Sequence, residues 1–337
     1  MKTQFSNWAR FVFLSALLSL LVQAGSIAQE ATPHHSGYNI HSFPTANATA
    51  ANTSAAEPAN TFGADPGPLV YHGGPVMQWG VKTYAIFWVP STLQNGAATS
   101  MTAHYQTVQK NMLLDYPKHG IDNNNTQYYQ VSGTTKSYIQ NYGYLAGSYV
   151  DTASYPASGC NDSATPGNCI TDAQVQAEIT KVMALNSWTG GLTKMFLLFT
   201  SSGEGSCFDS SSTACAYTAY CAYHGFYGSG ASPVVYGNEP FGNPSVCQVG
   251  GTPSPNGDIA ADTAATAASH ELTEATTDPE LDAWYTAQGN EIGDLCAYNY
   301  GANTWRSGTA NQMWNGRFYE LQQEFNNHTG TCVEVGP

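Results

Sequence analysis

The chain has 337 residues, with 10 Lys and Arg against 24 Asp and Glu, for a formal net charge of −14 at pH 7. That balance excludes nucleic acid and anionic membrane surfaces as natural partners, because both repel an acidic surface. Charged residues make up only 10% of the chain while Tyr numbers 21 and Trp 7, so the surface relies on neutral polar and aromatic groups. Such a surface suits an extracellular peptide or protein, or a cell-wall glycan, as partner.

At the N-terminus Lys2 and Arg10 precede the apolar run FVFLSALLSLL, and the small residues of VQAGSIA follow. This is the pattern of a secretory signal peptide over residues 1–28, cut near Ala24 or Ala28. The run falls short of the roughly 20 residues that cross a bilayer comfortably, so no membrane anchor is expected after processing. Residues 29–66 are rich in Ala, Thr, Ser, Asn and Pro and poor in large apolar side chains, which reads as a disordered linker or a cleavable pro-segment. His34, His35 and His41 fall inside it and receive no role. Residues 67–337 show no composition shift or internal repeat and are expected to form one domain, secreted and monomeric.

Along that domain strand and helix signals alternate. VKTYAIFWVP has the composition of a buried strand, and Met101, Tyr105, Val108 and Met112 recur at helical spacing. Thr171 is placed to cap a helix that turns Val175, Ile179, Val182 and Met183 inward, and KMFLLFT follows as a short buried strand. The stretch from Thr200 to Ser232, dense in Gly, Ser, Tyr and Cys, reads as a loop and carries His224. PVVYG reads as another strand, and the Asn-Gly-Asp at 256–258 caps an Ala-rich helix that Pro279 stops. All eight Cys lie between Cys160 and Cys332, and in an exported chain an even count predicts disulfides. Cys160 with Cys169 encloses a turn-rich loop and Cys296 with Cys332 can tie the C-terminus down, whereas the pairing of Cys207, Cys215, Cys221 and Cys247 is not legible from spacing. The expected fold is therefore α/β: a single zincin-like domain, disulfide-stabilised, with a mixed β-sheet packed on an active-site helix.

The Ala-rich helix carries the chemistry, in ASHELTEATTDPE. His270 and Glu274, at i and i+4, share one helical face, and Glu271 stands where the related HExxH pattern places its general base. Glu replaces the second His of that pattern. Asp294, twenty residues after Glu274 in NEIGDLC, is the expected third ligand, with Glu291 as its neighbouring alternative. His224 is a further candidate, for the metal or for a substrate-facing role. The expected cofactor is one divalent ion, zinc first, although oxygen-rich coordination also admits manganese or calcium.

Five blocks add a resemblance: YHGGPVM at 71–77, CAYHG at 221–225, HELTEATTDPELDAWY, NEIGDLC and the closing GRFYELQQEFNNHTGTC. In this order they resemble the EXORDIUM and phosphate-induced protein 1 family, which comprises secreted plant proteins and related bacterial ones. The resemblance runs from about residue 69 to the C-terminus. It implies an extracellular or cell-wall protein, in plants associated with growth responses. Some plant members lack the His-Glu pair, so the resemblance alone does not imply catalysis. Two expectations result: a secreted zinc metallopeptidase in which Glu271 activates water, or a non-catalytic extracellular protein that binds glycan or peptide.

Overall fold

A strand such as KMFLLFT, apolar at every position between its ends, folds only where both faces of its sheet are covered. The computed structural model describes residues 39–46, 65, 67–230, 232–248 and 253–337, and it provides that cover. The signal-peptide reading of residues 1–28 lies outside the described residues. Six strands form the central sheet: β1 (Ile40–Pro44), β2 (Lys82–Trp88), β3 (Tyr144–Asp151), β4 (Lys194–Thr200), β5 (Tyr220–Tyr227) and β6 (Val234–Glu239). Their order across the sheet is β1-β5-β6-β4-β2-β3. The four strands from β6 to β3 run parallel, β5 is antiparallel to β6, and β1 is antiparallel to β5.

Side chains along β4 alternate between two cores, as the strand period requires. Met195, Leu197 and Phe199 pack on one face with helices α1 (Ala103–Asp115) and α3 (Ile259–Thr277). Phe196 and Leu198 pack on the other face with α2 (Asp172–Asn186), which buries Val175, Ile179, Val182 and Met183 as its spacing predicts. The caps are where the sequence puts them: Thr171 and Gln174 form a capping box on α2, and the Asp258 side chain accepts the Ala261 N–H of α3 at 3.1 Å. The result is a mixed α/β domain with helices on both faces of its sheet.

All eight cysteines are paired, as Cys160–Cys169, Cys207–Cys215, Cys221–Cys247 and Cys296–Cys332. Four disulfides fit an oxidising, extracellular compartment. Among the described residues no helix is long and apolar enough to cross a membrane.

Two expectations are corrected. The linker reading of 29–66 fails over Ile40–Pro44, which add β1 to the edge of β5, with Ile40 and Phe43 each 1% exposed. Average composition concealed a local pattern, because Ile40 and Phe43 stand close together in a segment otherwise poor in large apolar residues. The loop reading of 200–232 fails at Tyr220–Tyr227, an eight-residue strand that carries His224 in mid-sheet. Its Tyr residues pack on the α2 face, and that tertiary contact supplies the burial its Gly and Cys content does not advertise.

Candidate metal centre

Helix α3 is buried from Ala261 to Thr277, although much of that stretch is polar. Several of its hydroxyl groups are satisfied within the helix: Thr273 Oγ1 donates to the Ser269 carbonyl at 2.8 Å and Thr276 Oγ1 to the Leu272 carbonyl at 2.6 Å. Its alanines bring the helix close to the sheet, so that His270, Glu271 and Glu274 lie beneath the β1–β5 edge. His224 from β5 and His41 from β1 enter from above, their rings 5.7 Å apart. The short 3-10 turn at Asp294–Cys296 closes the remaining side with Asp294, and Glu291 precedes it. Gly293 is required here, since a Cβ at that position would sit 2.6 Å from His270 Nδ1 and 3.0 Å from Glu274 Oε1.

The cluster holds three His and four carboxylates, and all are buried. His41 Nε2 lies 2.7 Å from Asp294 Oδ2 and 4.0 Å from Glu274 Oε2, and its Nδ1 lies 3.4 Å from Glu291 Oε1. His224 Nδ1 lies 3.0 Å from Glu271 Oε2 and 3.6 Å from Glu274 Oε2. His270 Nε2 lies 3.0 Å from Glu274 Oε1 and 3.9 Å from Asp294 Oδ1. Backbone groups hold the acids in place: the Phe43 N–H donates to Glu271 Oε1 at 3.1 Å, the Glu291 N–H to Asp294 Oδ2 at 2.7 Å, and the Asp294 N–H to Glu274 Oε1 at 3.2 Å.

Among the described residues no Lys or Arg pairs with these acids; the Lys and Arg ion pairs lie at Lys181 and Arg317, elsewhere in the domain. Burial, reinforced by neighbouring carboxylates, therefore pushes Glu271 and Glu291 well above the usual carboxylate range. Burial opposes charge on His41, but Asp294 and Glu274 outweigh it and lift the imidazole to about 9. Burial, together with His41 and His270, holds His224 well below its ordinary value. Asp294 is lowered despite its burial, because His41 faces it.

Five atoms of this cluster have no hydrogen-bond partner: His224 Nε2, His270 Nε2, Glu274 Oε2, Glu291 Oε2 and Asp294 Oδ1. Unpaired polar atoms at full burial are costly, and a cation answers such a set of donors. Two groups bring their ligand atoms within 4.8 Å of one another: His41 with Glu274 and Asp294, and His224 with Glu271 and Glu274. Both use Glu274. The residues present thus fit a divalent ion, and nitrogen alongside carboxylate donors favours zinc or manganese over calcium.

The sequence-assigned ligands His270, Glu274 and Asp294 do converge, and Gln322 governs how the His270 ring is presented to them. Tyr298 donates its N–H to Gln322 Oε1 at 3.1 Å and Gln322 Nε2 donates to the Gly293 carbonyl at 2.7 Å, so the amide orientation is fixed. The same Nε2 meets His270 Nδ1 at 3.0 Å, which makes Nδ1 an acceptor and leaves the ring proton on Nε2. Ligation through Nε2 would require this amide to turn over, oxygen against carbonyl oxygen. His41 and His224 meet no such obstacle.

Sequence reasoning missed His41, which composition assigned to the linker, and Gln322, which lies in the closing block GRFYELQQEFNNHTGTC but received no role there. The alternation of Ile40, His41, Ser42 and Phe43 ahead of Pro44 was the available signal for the first. No protein-family model, curated protein or solved structure matches this chain, so the geometry of the cluster alone carries the functional reading.

Proposed function

We propose that this protein is a secreted metal-dependent hydrolase of the zinc metallopeptidase class, with a zincin-like arrangement and its ion held around Glu274. The observation that carries the reading is the cluster itself: two groups, each of one His and two carboxylates, share Glu274, with no Lys or Arg partner among the described residues and with unpartnered donor atoms in the cluster. A mixed sheet whose antiparallel strand β5 lies beside the motif helix supports the zincin-like layout.

When bound, a divalent ion such as zinc supplies Lewis acidity to a carbonyl and lowers the pKa of water. The protein's own groups do the rest. Glu274, Asp294, His41 and His224 offer the donors. Glu271, held by the Phe43 N–H and His224, accepts the proton of the attacking water at Oε2. The water oxygen bonds to the carbonyl carbon, the C–N bond breaks, and the proton returns from Glu271 to the leaving amine. Metal content of protein purified without added metal, followed by digestion of a mixed peptide library, tests the reading. Stoichiometric zinc with chelator-sensitive cleavage supports it, and a metal-free protein unaffected by zinc or manganese rejects it.

A second reading has its own observation and agrees with the resemblance to EXORDIUM-like wall proteins. Trp79, Tyr142 and Tyr144 are 59%, 47% and 50% exposed. A Cβ on Gly80 would touch the Tyr142 backbone at 2.9 Å, so the two segments adjoin. Exposed rings of this kind suit sugar stacking. On that reading the ion braces the fold, and Trp79→Ala weakens glycan binding while leaving metal content unchanged.

A further inference from the structure

The central sheet closes on a strand that the rest of the domain does not supply by local connection. β1 is five residues long and is added antiparallel to β5 with Ile40 opposite Gly225, His41 opposite His224 and Ser42 opposite Tyr223. Its two side chains on the α3 face both enter the cluster. His41 reaches Asp294 at 2.7 Å, and the Phe43 ring stacks on His270 with centroids 4.2 Å apart. The Phe43 N–H occupies Glu271 Oε1. On the opposite face Ile40 joins the α2 core. An extended peptide laid on the β5 edge would make the same contacts: main-chain pairing for affinity, alternate side chains in pockets for selectivity, and a main-chain N–H on the candidate base.

We infer that the edge of β5 is a peptide-binding edge serving the cluster and that β1 is its internal occupant, so that the chain as described is the closed form of the site. The ligand class is an extended polypeptide with a large apolar residue at the position of Phe43, where His270 and Tyr298 form the pocket at 4.2 and 4.9 Å between ring centroids. The inference deepens the hydrolase reading by naming its substrate class, while the edge itself can be tested without turnover.

The probe is a fluorescent synthetic peptide with the sequence of residues 39–46, titrated into the full chain carrying Ile40→Asp and Phe43→Ala, which loosen β1 from both faces. The loosened variant is expected to bind the peptide at least tenfold more tightly than the unaltered chain. A peptide with N-methylphenylalanine at the position of Phe43, which keeps the ring and removes only the N–H, should bind at least tenfold more weakly. If the double variant does not fold, Ile40→Ala, which leaves the site face intact, gives the same order with a gain of about threefold. A folded variant that does not bind the peptide, or that binds a scrambled peptide equally well, overturns the inference. If the loosened variant binds the peptide while the unaltered zinc-loaded chain, with His41 in place, cleaves no peptide, the hydrolase reading fails and the edge stands. If the unaltered chain cleaves peptides at full rate and the variant binds no peptide, the edge fails and the hydrolase reading stands.

Discussion

Two regions of this protein bury carboxylates and treat them in opposite ways. Asp115, 1% exposed, has both oxygens fully engaged: Arg317 Nη1 reaches them at 2.7 and 2.9 Å, the Tyr319 hydroxyl donates at 2.7 Å and Asn315 Nδ2 at 2.9 Å. Around Glu274 four acids meet three His without one Lys or Arg partner among the described residues, and three of the four acids keep an oxygen unpaired. At Asp115 the chain satisfies a buried carboxylate completely. The α3 cluster does not share that arrangement, and it combines unpartnered carboxylate oxygens with unpartnered imidazole nitrogens, a donor set that a cation would satisfy.

The largest effect expected is on turnover. Glu271→Gln keeps the Phe43 hydrogen bond and the shape of the side chain but cannot take a proton, so hydrolysis should fall by about a thousandfold, or about 4 kcal/mol in the barrier, with metal content unchanged. Steady-state kinetics beside metal analysis checks this, and loss of metal instead would make Glu271 a ligand.

Breaking the satisfied region should act on the fold alone. Arg317→Met leaves Asp115 buried without its cation, at an expected loss of about 3 kcal/mol in urea unfolding, the same with or without zinc. A zinc-dependent loss would erase the contrast between the two regions.

Ion binding sharpens the other side. Zinc at a hundred times its dissociation constant should raise the unfolding free energy by about 2.7 kcal/mol, and Glu274→Ala, which removes the residue common to both groups, should abolish that gain. His41→Ala and His224→Ala should each weaken zinc binding more than His270→Ala does, since His270 carries its proton toward the cluster. Isothermal titration ranks the three, and a dominant effect at His270 would restore the ligand set read from the motif.

The smallest effect is a pH dependence away from the site. Burial lifts the Glu204 carboxyl to about 8, with Gln94 donating to it at 2.7 Å. Because this value lies above that of the unfolded chain, the contribution is complete below about pH 4.5 and is lost as pH rises through 8. Glu204→Gln should therefore match the unaltered chain near pH 4 and exceed it by about 2 kcal/mol at pH 8.5, measured by thermal unfolding across that range.

The motif helix, the caps at Thr171 and Asp258, the strands at Lys82–Trp88 and Lys194–Thr200, and the convergence of Glu271, Glu274 and Asp294 were legible in the sequence. Each rests on a local rule: a 3.6-residue period, a capping side chain, an apolar run with nowhere to go but a covered sheet. The pairs Cys207–Cys215 and Cys221–Cys247, the strand at His224 and the arrival of His41 from a segment read as linker were decided by tertiary structure. Strand pairing and disulfide choice depend on which distant segments meet, and a five-residue strand becomes stable only when β5 offers its edge. The tautomer of His270 belongs to the same class, because it follows from Gln322, 52 residues away, whose orientation is set by the backbone of Tyr298 and Gly293. The sequence determined which acids and which histidine line up on α3; only the fold decided which other histidines stand beside them, because partners of a buried charge are chosen by three-dimensional proximity.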